Sequence, residues 1–427
     1  MLTRFALLTF CGALAAAAET HTLTLKQAVE LALRQNPDIL LARLDEQRAA
    51  QDAKVARDPF VPRAVVGSGL AWTSGFPLSI EGAAPAILQA RVLQNLFNRP
   101  LSYRLAAARE SARGAQFDTQ ARRDEVAQRT ADLFLDLERA ARNEDLARRQ
   151  VESLDKVLET VRARVAEGRE LPLEETRAKL NAARARQRSA VLAGERETSS
   201  AALAGVLGLG PADRVVPAGE ARPLPDLPTS EEVLVEEALR NSRELRRLES
   251  SLLAKGLEVR SGKASRLPRI DLVAQYALLS RFNNYEDFFN RFERHNWQLG
   301  ASFQLPILPG AAAAAETTRA TIEEQKLKTQ IAQTRNRITL DSRRALRDLR
   351  EAEGARDIAR LDLDLSREQL SVLLAQLEEG RATQRQIEEA RFVENERWIA
   401  FHDALRTVEQ ARLAVLRQRG DILAALR

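Results

Sequence analysis

The sequence is nearly free of sulfur. Among 427 residues there is a single methionine and a single cysteine, Cys11. Cys11 lies in MLTRFALLTFCGALAAAAET, where a positive residue, an apolar run and small residues follow one another as in a secretory signal peptide. We predict a signal peptide over residues 1–18, cleaved after Ala18. A lipid anchor on Cys11 is the alternative, but Phe10 replaces the small residue such a signal needs. A chain that has lost Cys11 has no disulfide, cysteine metal site or thiol redox chemistry.

Histidines, aromatics and long apolar runs are scarce as well. Aromatic residues make up 5% of the chain, and beyond the leader no apolar run is long enough for a membrane-spanning helix. The three histidines, His21, His295 and His402, lack the spacing of a metal pair or a catalytic base, and we interpret His402 as a helix-surface residue. No glycine-rich nucleotide-binding pattern occurs. We therefore predict that the protein is not an enzyme and has no cofactor or metal site.

The sequence also lacks a segment in which charges of one sign dominate. Lysine and arginine number 65, aspartate and glutamate 60, and the two signs are mixed along the chain. A nucleic-acid groove needs a one-signed patch, so we expect no nucleic-acid partner. Alanine, leucine, arginine and glutamate dominate instead, which is typical of long helices and coiled coils.

An internal repeat is the main feature that the sequence does contain. The stretch ALRQNPDILLARL, residues 32–44, resembles residues 238–250 at an offset of 206, and the segment EGR at 167–169 recurs at 379–381, an offset of 212. A proline-rich segment, residues 207–230, joins the two copies. We predict one repeat over residues 19–218 and a second over residues 219–427.

Each copy begins with a helical segment that continues to a proline shortly before the first strand. Thr24 and Gln27 form a predicted capping box at the start of the first copy, and Thr229 and Glu232 form one in the second.

Two stretches of alternating polarity follow the helical segment in each copy, most clearly in NWQLGASFQLP, residues 296–306. The predicted strands are about 63–75 and 86–96 in the first copy, and about 269–280 and 296–306 in the second. Such strands suit a membrane β-barrel, and soluble hairpins packed on the helices are the alternative. Four aromatic residues are assigned to the membrane–water interface: Trp72, Tyr276, Trp297 and Phe303.

Long helical stretches, residues 101–165 and 311–378, complete each copy and carry narrow apolar stripes. Gly168 in AEGRELPLEETRA and Gly380 in EEGRATQRQIEEA interrupt the helical pattern. We predict helix-hairpin turns at about 166–172 and 378–384.

The four predicted strands bear on the oligomer. A four-stranded sheet has two open edges, which are not tolerated in lipid. Several chains must therefore share one barrel, with eight strands in a dimer or twelve in a trimer.

This duplicated order resembles the TolC-type outer-membrane efflux proteins. LALRQNP, residues 31–37, is similar to the opening signature of that family, and FQLPILPG, residues 303–310, to its passage from strand to long helix. The resemblance implies a mainly α fold with a membrane β-barrel part, in which a homotrimer forms a 12-stranded outer-membrane barrel continuous with a periplasmic α-helical barrel. It implies a passive exit duct in the lipid of the cell outer membrane that extends into the periplasm. Its partners would be a periplasmic adaptor (membrane fusion) protein and an inner-membrane pump or ABC exporter.

The resemblance also implies that both turns lie at the periplasmic end, where family members close the pore and meet the adaptor. The residues assigned to this contact and gate are Gly168, Arg169, Glu170, Glu378, Glu379, Gly380, Arg381 and Arg385. Some members carry an acidic ring after the second turn, where this chain has Arg385 and Gln386. Our hypothesis is a closed state held by Arg–Glu pairs between helices, and solvated tip residues are the alternative.

Two other interpretations of the sequence stay open. One is a periplasmic coiled-coil adaptor and the other is a secreted coiled-coil scaffold, both without a membrane barrel. For the duct, drug export, metal export and protein secretion all fit the sequence.

Overall fold

The computed structural model describes residues 19–69, 86–219, 227–228, 230–279, 295–307 and 311–426. The helices in chain order are α1 (Leu25–Gln35), α2 (Pro37–Arg57), α3 (Arg99–Ala166), α4 (Pro172–Leu207), α5 (Glu231–Asn241), α6 (Arg243–Ala264), α7 (Ala311–Glu378), α8 (Gln384–Arg419) and α9 (Ile422–Ala425). The strands are β1 (Thr20–Leu23), β2 (Arg63–Gly69), β3 (Ala86–Phe97), β4 (Arg214–Pro217), β5 (Arg269–Leu279) and β6 (His295–Gln304). Within these ranges, no helix has both the length and the apolar character needed to cross a membrane.

The helix boundaries repeat at the offsets found in the sequence. Helix α5 begins and ends 206 residues after α1, and helices α7 and α8 begin and end 212 residues after α3 and α4. Helices α3 and α7 have 68 residues each, which corresponds to about 100 Å of helix. The strands start within one residue of the predicted positions in every case.

The opening helical segment of each copy is broken in two, whereas the sequence pattern predicted one continuous helix. The breaks fall at Asn36 and Ser242, which are also 206 residues apart. Pro37 lacks an amide hydrogen and disfavours helical geometry at the residue before it. Asn36 stabilises the break because its side chain donates to the carbonyl of Val206 at 2.8 Å and accepts from the amide of Asp38 at 2.9 Å.

The two predicted capping boxes have different outcomes. Thr24 and Gln27 form both bonds of the box at the start of α1. At the start of α5 the cap residue is Ser230, and its hydroxyl donates to the Glu232 carboxylate at 2.5 Å instead of accepting from the helix. Thr229 lies outside the described residues.

The chain divides into two compact units that do not coincide with the two repeats. Unit 1 comprises Met1–Leu41, Ala121–Ser242 and Arg337–Arg427, and unit 2 comprises Ala42–Gln120 and Arg243–Asn336. Each unit draws on both repeats, and the long helices α3 and α7 contribute residues to both units.

Unit 1 has a helical core. Its main cluster packs α1, α3, α4, α8 and α9 around fully buried side chains that include Phe134, Leu207 and Leu416. Strand β1 pairs in parallel with β4 beside this cluster. Near the end of α3, Leu158 packs on Ala178 and Ala182 of α4, as the apolar stripe in the sequence indicated.

Unit 2 contains a four-stranded sheet. The strand order is β2-β3-β5-β6, and all neighbouring strands are antiparallel. The central pairing of β3 with β5 joins a strand of the first repeat to a strand of the second.

Candidate functional site

The four-stranded sheet has one apolar and one polar face, because cross-strand partners lie on the same side. One continuous row consists of Val66, Ala90, Tyr276 and Trp297, and the row two residues away consists of Ala64, Val92, Ala274 and Leu299. The row between them faces the other way and consists of Val65, Arg91, Gln275 and Gln298. In these rows the alternation read from β6 extends to β5 and β3, whereas β2 has valine on both faces, at Val65 and Val66.

The apolar face is open to the surroundings in the single chain. Trp297 is 79% exposed, Leu299 80% and Phe303 63%. A contiguous exposed apolar surface of this kind marks a surface that another phase or another protein covers.

The assigned interface aromatics lie at two levels of this face. The rings of Tyr276 and Trp297 are 4.6 Å apart between centroids, and the Tyr276 hydroxyl lies 2.7 Å from Nδ1 of His295. Phe303 pairs with Ile270, six residues farther along β6, which is about 20 Å at the rise of a strand. Trp72 lies outside the described residues. In a barrel strand tilted by about 40°, the six residues from Trp297 to Phe303 cover about 15 Å along the membrane normal, less than the apolar band of about 25 Å.

The outer strands of the sheet have open edges. Within the described ranges, β2 pairs only with β3, and β6 pairs only with β5. The outer backbone groups of both strands can therefore pair with further strands.

The two predicted hairpin turns have the same backbone geometry. Gly168 and Gly380 have φ of 72° and 71°, the left-handed region that favours glycine. The amide of Arg169 donates to the carbonyl of Arg164 at 2.8 Å, and that of Arg381 donates to the carbonyl of Gln376 at 2.7 Å. Each bond belongs to a Schellman motif that ends α3 or α7. A Cβ at either glycine would have no atom within 4 Å, so the requirement for glycine is conformational and not steric.

The helices that follow the two turns begin differently. Helix α4 begins at Pro172, with Leu171 and Leu173 exposed on either side at 68% and 59%. Helix α8 begins with a capping box between Thr383 and Gln386. Next to this box Ile387 is buried, so the first turn presents apolar surface that the second does not.

The arginines assigned to the gate pair with carboxylates of their own turn or helix. Arg169 lies 3.2 Å from Glu167 and Arg381 lies 3.1 Å from Glu379. Arg385 lies 2.9 Å from Glu389, one helical turn onward in α8. Of the remaining assigned residues, Glu170 accepts from Arg164 at 3.3 Å in the first turn and Glu378 is the last residue of α7.

Sequence reasoning missed the Arg–Glu pairs that do join helices, one next to the first turn and one farther along α4 and α8. Arg162 of α3 lies 3.4 Å from Glu175 of α4, and Arg188 of α4 pairs with Glu396 of α8. Arg162 and Glu175 stand at nearly equal distances in sequence from Gly168. Residues placed symmetrically about a hairpin turn meet across it, and this is the signal that could have identified the first pair.

The starts of α4 and α8 lie close together. Burial raises the pKa of Glu388. Arg391 lowers this pKa, whereas Glu174 and Glu170 raise it further. The side chain of Asn181 in α4 also hydrogen-bonds Glu388, so the α8 start is in contact with α4.

A seam of polar contacts joins α3 to α8. Asp136 pairs with Arg406, and Arg139 donates to Asp403 at 3.0 Å. His402 was interpreted as a surface residue, and this was wrong: its ring is half-buried in the seam, and burial lowers its pKa. His402 is half-buried because α8 packs on α3, a helix from the other half of the chain.

A polar cleft of about 530 Å³ opens beside this seam between α3, α7 and α8. Its lining includes Asp132, Arg344 and Asp348. Burial and the neighbouring Asp136 raise the pKa of Asp132 to about 6, although Arg406 and Arg417 lower it. Within the described ranges, no group of three histidine, cysteine or carboxylate side chains is placed to hold a metal ion.

Comparison with known proteins gives one family. Residues 28–209 match the family Outer membrane efflux protein. No curated protein matches the chain by sequence. The family match covers most of the first repeat, and the second repeat is compared through its structure.

Solved outer-membrane channels share the fold over nearly the whole chain. CusC is 16% identical, with a TM-score of 0.77 over 96% of this chain and 95% of that one. The Campylobacter jejuni channel CmeC is 16% identical, with a TM-score of 0.76 over 99% of this chain and 93% of that one. Neisseria gonorrhoeae MtrE, solved in an open state, is 18% identical, with a TM-score of 0.72 over 94% and 88%. The fold class and the resemblance to TolC-type proteins are confirmed.

Proposed function

We propose, on the basis of this confirmed likeness to outer membrane efflux proteins, that the chain is the outer-membrane exit duct of a tripartite efflux or type I secretion system. The duct is passive: substrates pass through it when it is docked to a periplasmic adaptor and an inner-membrane pump or ABC exporter. The two-faced sheet is the observation that carries this proposal, because neither a soluble adaptor nor a coiled-coil scaffold requires it.

The sheet supports insertion in the outer membrane. Its apolar rows provide a surface for lipid, and its polar rows, with Arg91, Gln275 and Gln298, suit a water-filled interior. Tyr276, Trp297 and Phe303 are our candidates for side chains at the membrane–water interface.

Two features support a homotrimer. The open edges of β2 and β6 allow copies of the sheet to join edge to edge, and three copies of four strands close a 12-stranded barrel. In unit 1, helix α7 carries an exposed apolar stripe with spacings of three, four and seven residues, as on one face of a coiled coil. The stripe consists of Ile358, Leu361, Leu365 and Val372. In the proposed trimer a helix of the neighbouring copy covers this stripe.

The two hairpin turns are our candidates for the adaptor contact and the periplasmic gate. The exposed Leu171 and Leu173 add an apolar contact surface to the charged residues of the first turn. The proposed contact and gate residues are Gly168, Arg169, Glu170, Glu378, Glu379, Gly380, Arg381 and Arg385. We add the pair Arg162–Glu175, which holds α3 to α4 next to the first turn, and the pair Arg188–Glu396, which holds α4 to α8 farther from the turns.

The test compares two neighbouring positions of β6 on opposite faces of the sheet. Leu299→Arg places a charge on the proposed lipid face, at a cost of about 2–4 kcal/mol near the middle of the membrane. Gln298→Arg places the same charge on the proposed interior face and serves as the control. We expect Leu299→Arg to deplete heat-sensitive oligomers from the outer-membrane fraction and Gln298→Arg to leave them at the wild-type level.

Two results would contradict the proposal. One is equal recovery of both variants in the outer-membrane fraction. The other is recovery of the wild-type chain as a soluble periplasmic monomer, which would favour the adaptor or scaffold.

A further inference from the structure

The first described residue, Glu19, follows directly after the predicted cleavage position at Ala18. Its backbone nitrogen donates to Oδ1 of Asp213 at 3.2 Å, and its carbonyl accepts from the amide of Arg214 at 2.9 Å. The ladder between β1 and β4 continues from there to Leu23, whose carbonyl accepts from the amide of Ala218 at 2.8 Å. The chain is therefore held in register with β4 from Glu19 onward.

Asp213 is oriented for this contact by its own turn. Its Oδ2 accepts from the amide of Gly210 at 2.8 Å, and its amide donates to the carbonyl of Gly210 at 3.1 Å. The neighbouring Arg214 is paired with Glu197 at 2.8 Å. One carboxylate oxygen of Asp213 thus belongs to the turn after α4, and the other receives the nitrogen of Glu19.

We propose that Asp213 is a binding site for the mature N-terminus, in which cleavage after Ala18 turns the Glu19 nitrogen into an ammonium group that pairs with the Asp213 carboxylate. In the uncleaved chain this nitrogen is a neutral amide with one hydrogen. Hydrolysis of the Ala18–Glu19 bond leaves a carboxylate on the leader and a protonated amine on Glu19. The existing hydrogen bond, in which only the carboxylate is charged, becomes an ion pair in which donor and acceptor are both charged.

The site would strengthen the start of β1, where its ladder with β4 begins. Strand β4 is held to α4 because Ser200 Oγ accepts from the amide of Val215 at 2.8 Å and donates to its carbonyl at 3.1 Å. Strand β1 leads into Thr24, the cap residue of α1. The ion pair strengthens the hold on the start of β1, so the processed chain holds this end of the β1–β4 pair more tightly than the unprocessed chain does.

The test begins with the intact mass of the purified mature protein, which we expect to correspond to a chain that starts at Glu19. Hydrogen exchange of a β1 peptide is then compared for wild type and Asp213→Asn, which keeps an acceptor oxygen and the size of the side chain. We expect Asp213→Asn to accelerate exchange about fivefold, the effect of one charge-assisted bond. Glu197→Gln, which removes a nearby carboxylate outside the site, is the control and should change exchange less than twofold.

A second set of variants changes the charge on the Glu19 nitrogen itself. Inserting Gly-Ser between Ala18 and Glu19 moves the mature ammonium two residues away and restores a neutral amide at Glu19. In that background we expect Asp213→Asn to accelerate exchange by a smaller factor, because the Glu19 amide that meets the carboxylate is uncharged. Equal acceleration in both backgrounds, or a mature chain that does not begin at Glu19, would overturn the proposal.

Discussion

The imidazole Nδ1 of His402 lies 3.0 Å from the side-chain oxygen of Asn143, and this contact joins α8 to α3. Asn143 is only 1% exposed. Because an amide oxygen is an acceptor, Nδ1 carries the hydrogen in this contact. Burial lowers the pKa of His402 and the nearby Arg142 lowers it further, so the ring is neutral at pH 7.

Truncation of His402 should destabilise unit 1. His402→Ala leaves the buried amide of Asn143 without this partner, and we expect a loss of about 1–3 kcal/mol. His402→Gln can keep a donor in place and should lose less. Thermal denaturation in detergent measures both variants, and equal melting temperatures for wild type and His402→Ala would contradict this assignment.

The same histidine should contribute to loss of stability in acid. Its folded-state pKa lies below the ordinary value of 6.5, so the unfolded chain binds a proton first as the pH falls. Stability from the neutral ring is complete above pH 6.5 and is lost below it. The difference in melting temperature between wild type and His402→Gln should therefore shrink between pH 7.5 and pH 5. A constant difference would show that the pKa of His402 is the same in the folded and unfolded chains.

Asp132 should make the fold less stable as the pH rises, which is opposite to the effect of His402. Its pKa is raised from 3.8 to about 6, so the folded state binds a proton before the unfolded state does, and its charge destabilises the fold above pH 6. Since the side chain is partly solvated, we expect Asp132→Asn to stabilise the protein by only about 1 kcal/mol at pH 7.5. The gain should disappear near pH 4. Asp145→Asn, on the exposed surface of α3, is the control, and a gain of the same size there would remove the explanation.

Alanine at the turn glycines should be unfavourable for conformational reasons alone. Gly168→Ala and Gly380→Ala place a Cβ in open space at positive φ, at a cost of about 1–2 kcal/mol each. Gly194 and Gly354 also have open space but lie inside α4 and α7, where alanine should stabilise by about 0.5–1 kcal/mol. The two turn variants should melt below the wild-type temperature, and the two variants inside helices should melt above it. A shift in the same direction for all four would refute this account.

Pairs between helices should restrain the channel more than pairs within one helix. We expect Arg188→Ala and Arg162→Ala to raise conductance in planar bilayers, because each removes a contact that joins two helices. Arg385→Ala removes a pair inside α8 and should raise conductance less. Arg148→Ala, from an exposed pair within α3, is the control. Unchanged conductance in all of the first three would leave these arginines as solvated tip residues.

The apolar stripe of α7 should be needed for assembly. Leu361→Asp places a charge where the neighbouring copy is proposed to pack, and we expect the mass measured by light scattering to fall from trimer to monomer. Arg360→Gln, at an exposed position on another side of the same helix, should remain trimeric. A trimeric Leu361→Asp would place the subunit contact elsewhere.

The periodic elements could be predicted from the sequence because their signals are local. The offsets of 206 and 212 recur in the helix boundaries, and the alternation in β6 appears as a two-faced strand. The Schellman turns at Gly168 and Gly380 follow from the same kind of signal, since a glycine that ends a helical pattern is recognisable without its surroundings.

The tertiary structure decided which of these elements meet. The pairing of β3 with β5 merges the two repeats into one sheet, and the seam from Asp136–Arg406 to Asn143–His402 joins helices of different repeats. His402 is half-buried only because α3 packs on α8, and Arg188 finds Glu396 for a similar reason across α4 and α8. The sequence by itself determined the helices, the strands and the glycine turns, because backbone preference and hydrophobic periodicity act over a few residues. Only the tertiary structure decided the sheet order, the burial of His402 and the partners of the charged side chains, because these depend on packing between segments hundreds of residues apart.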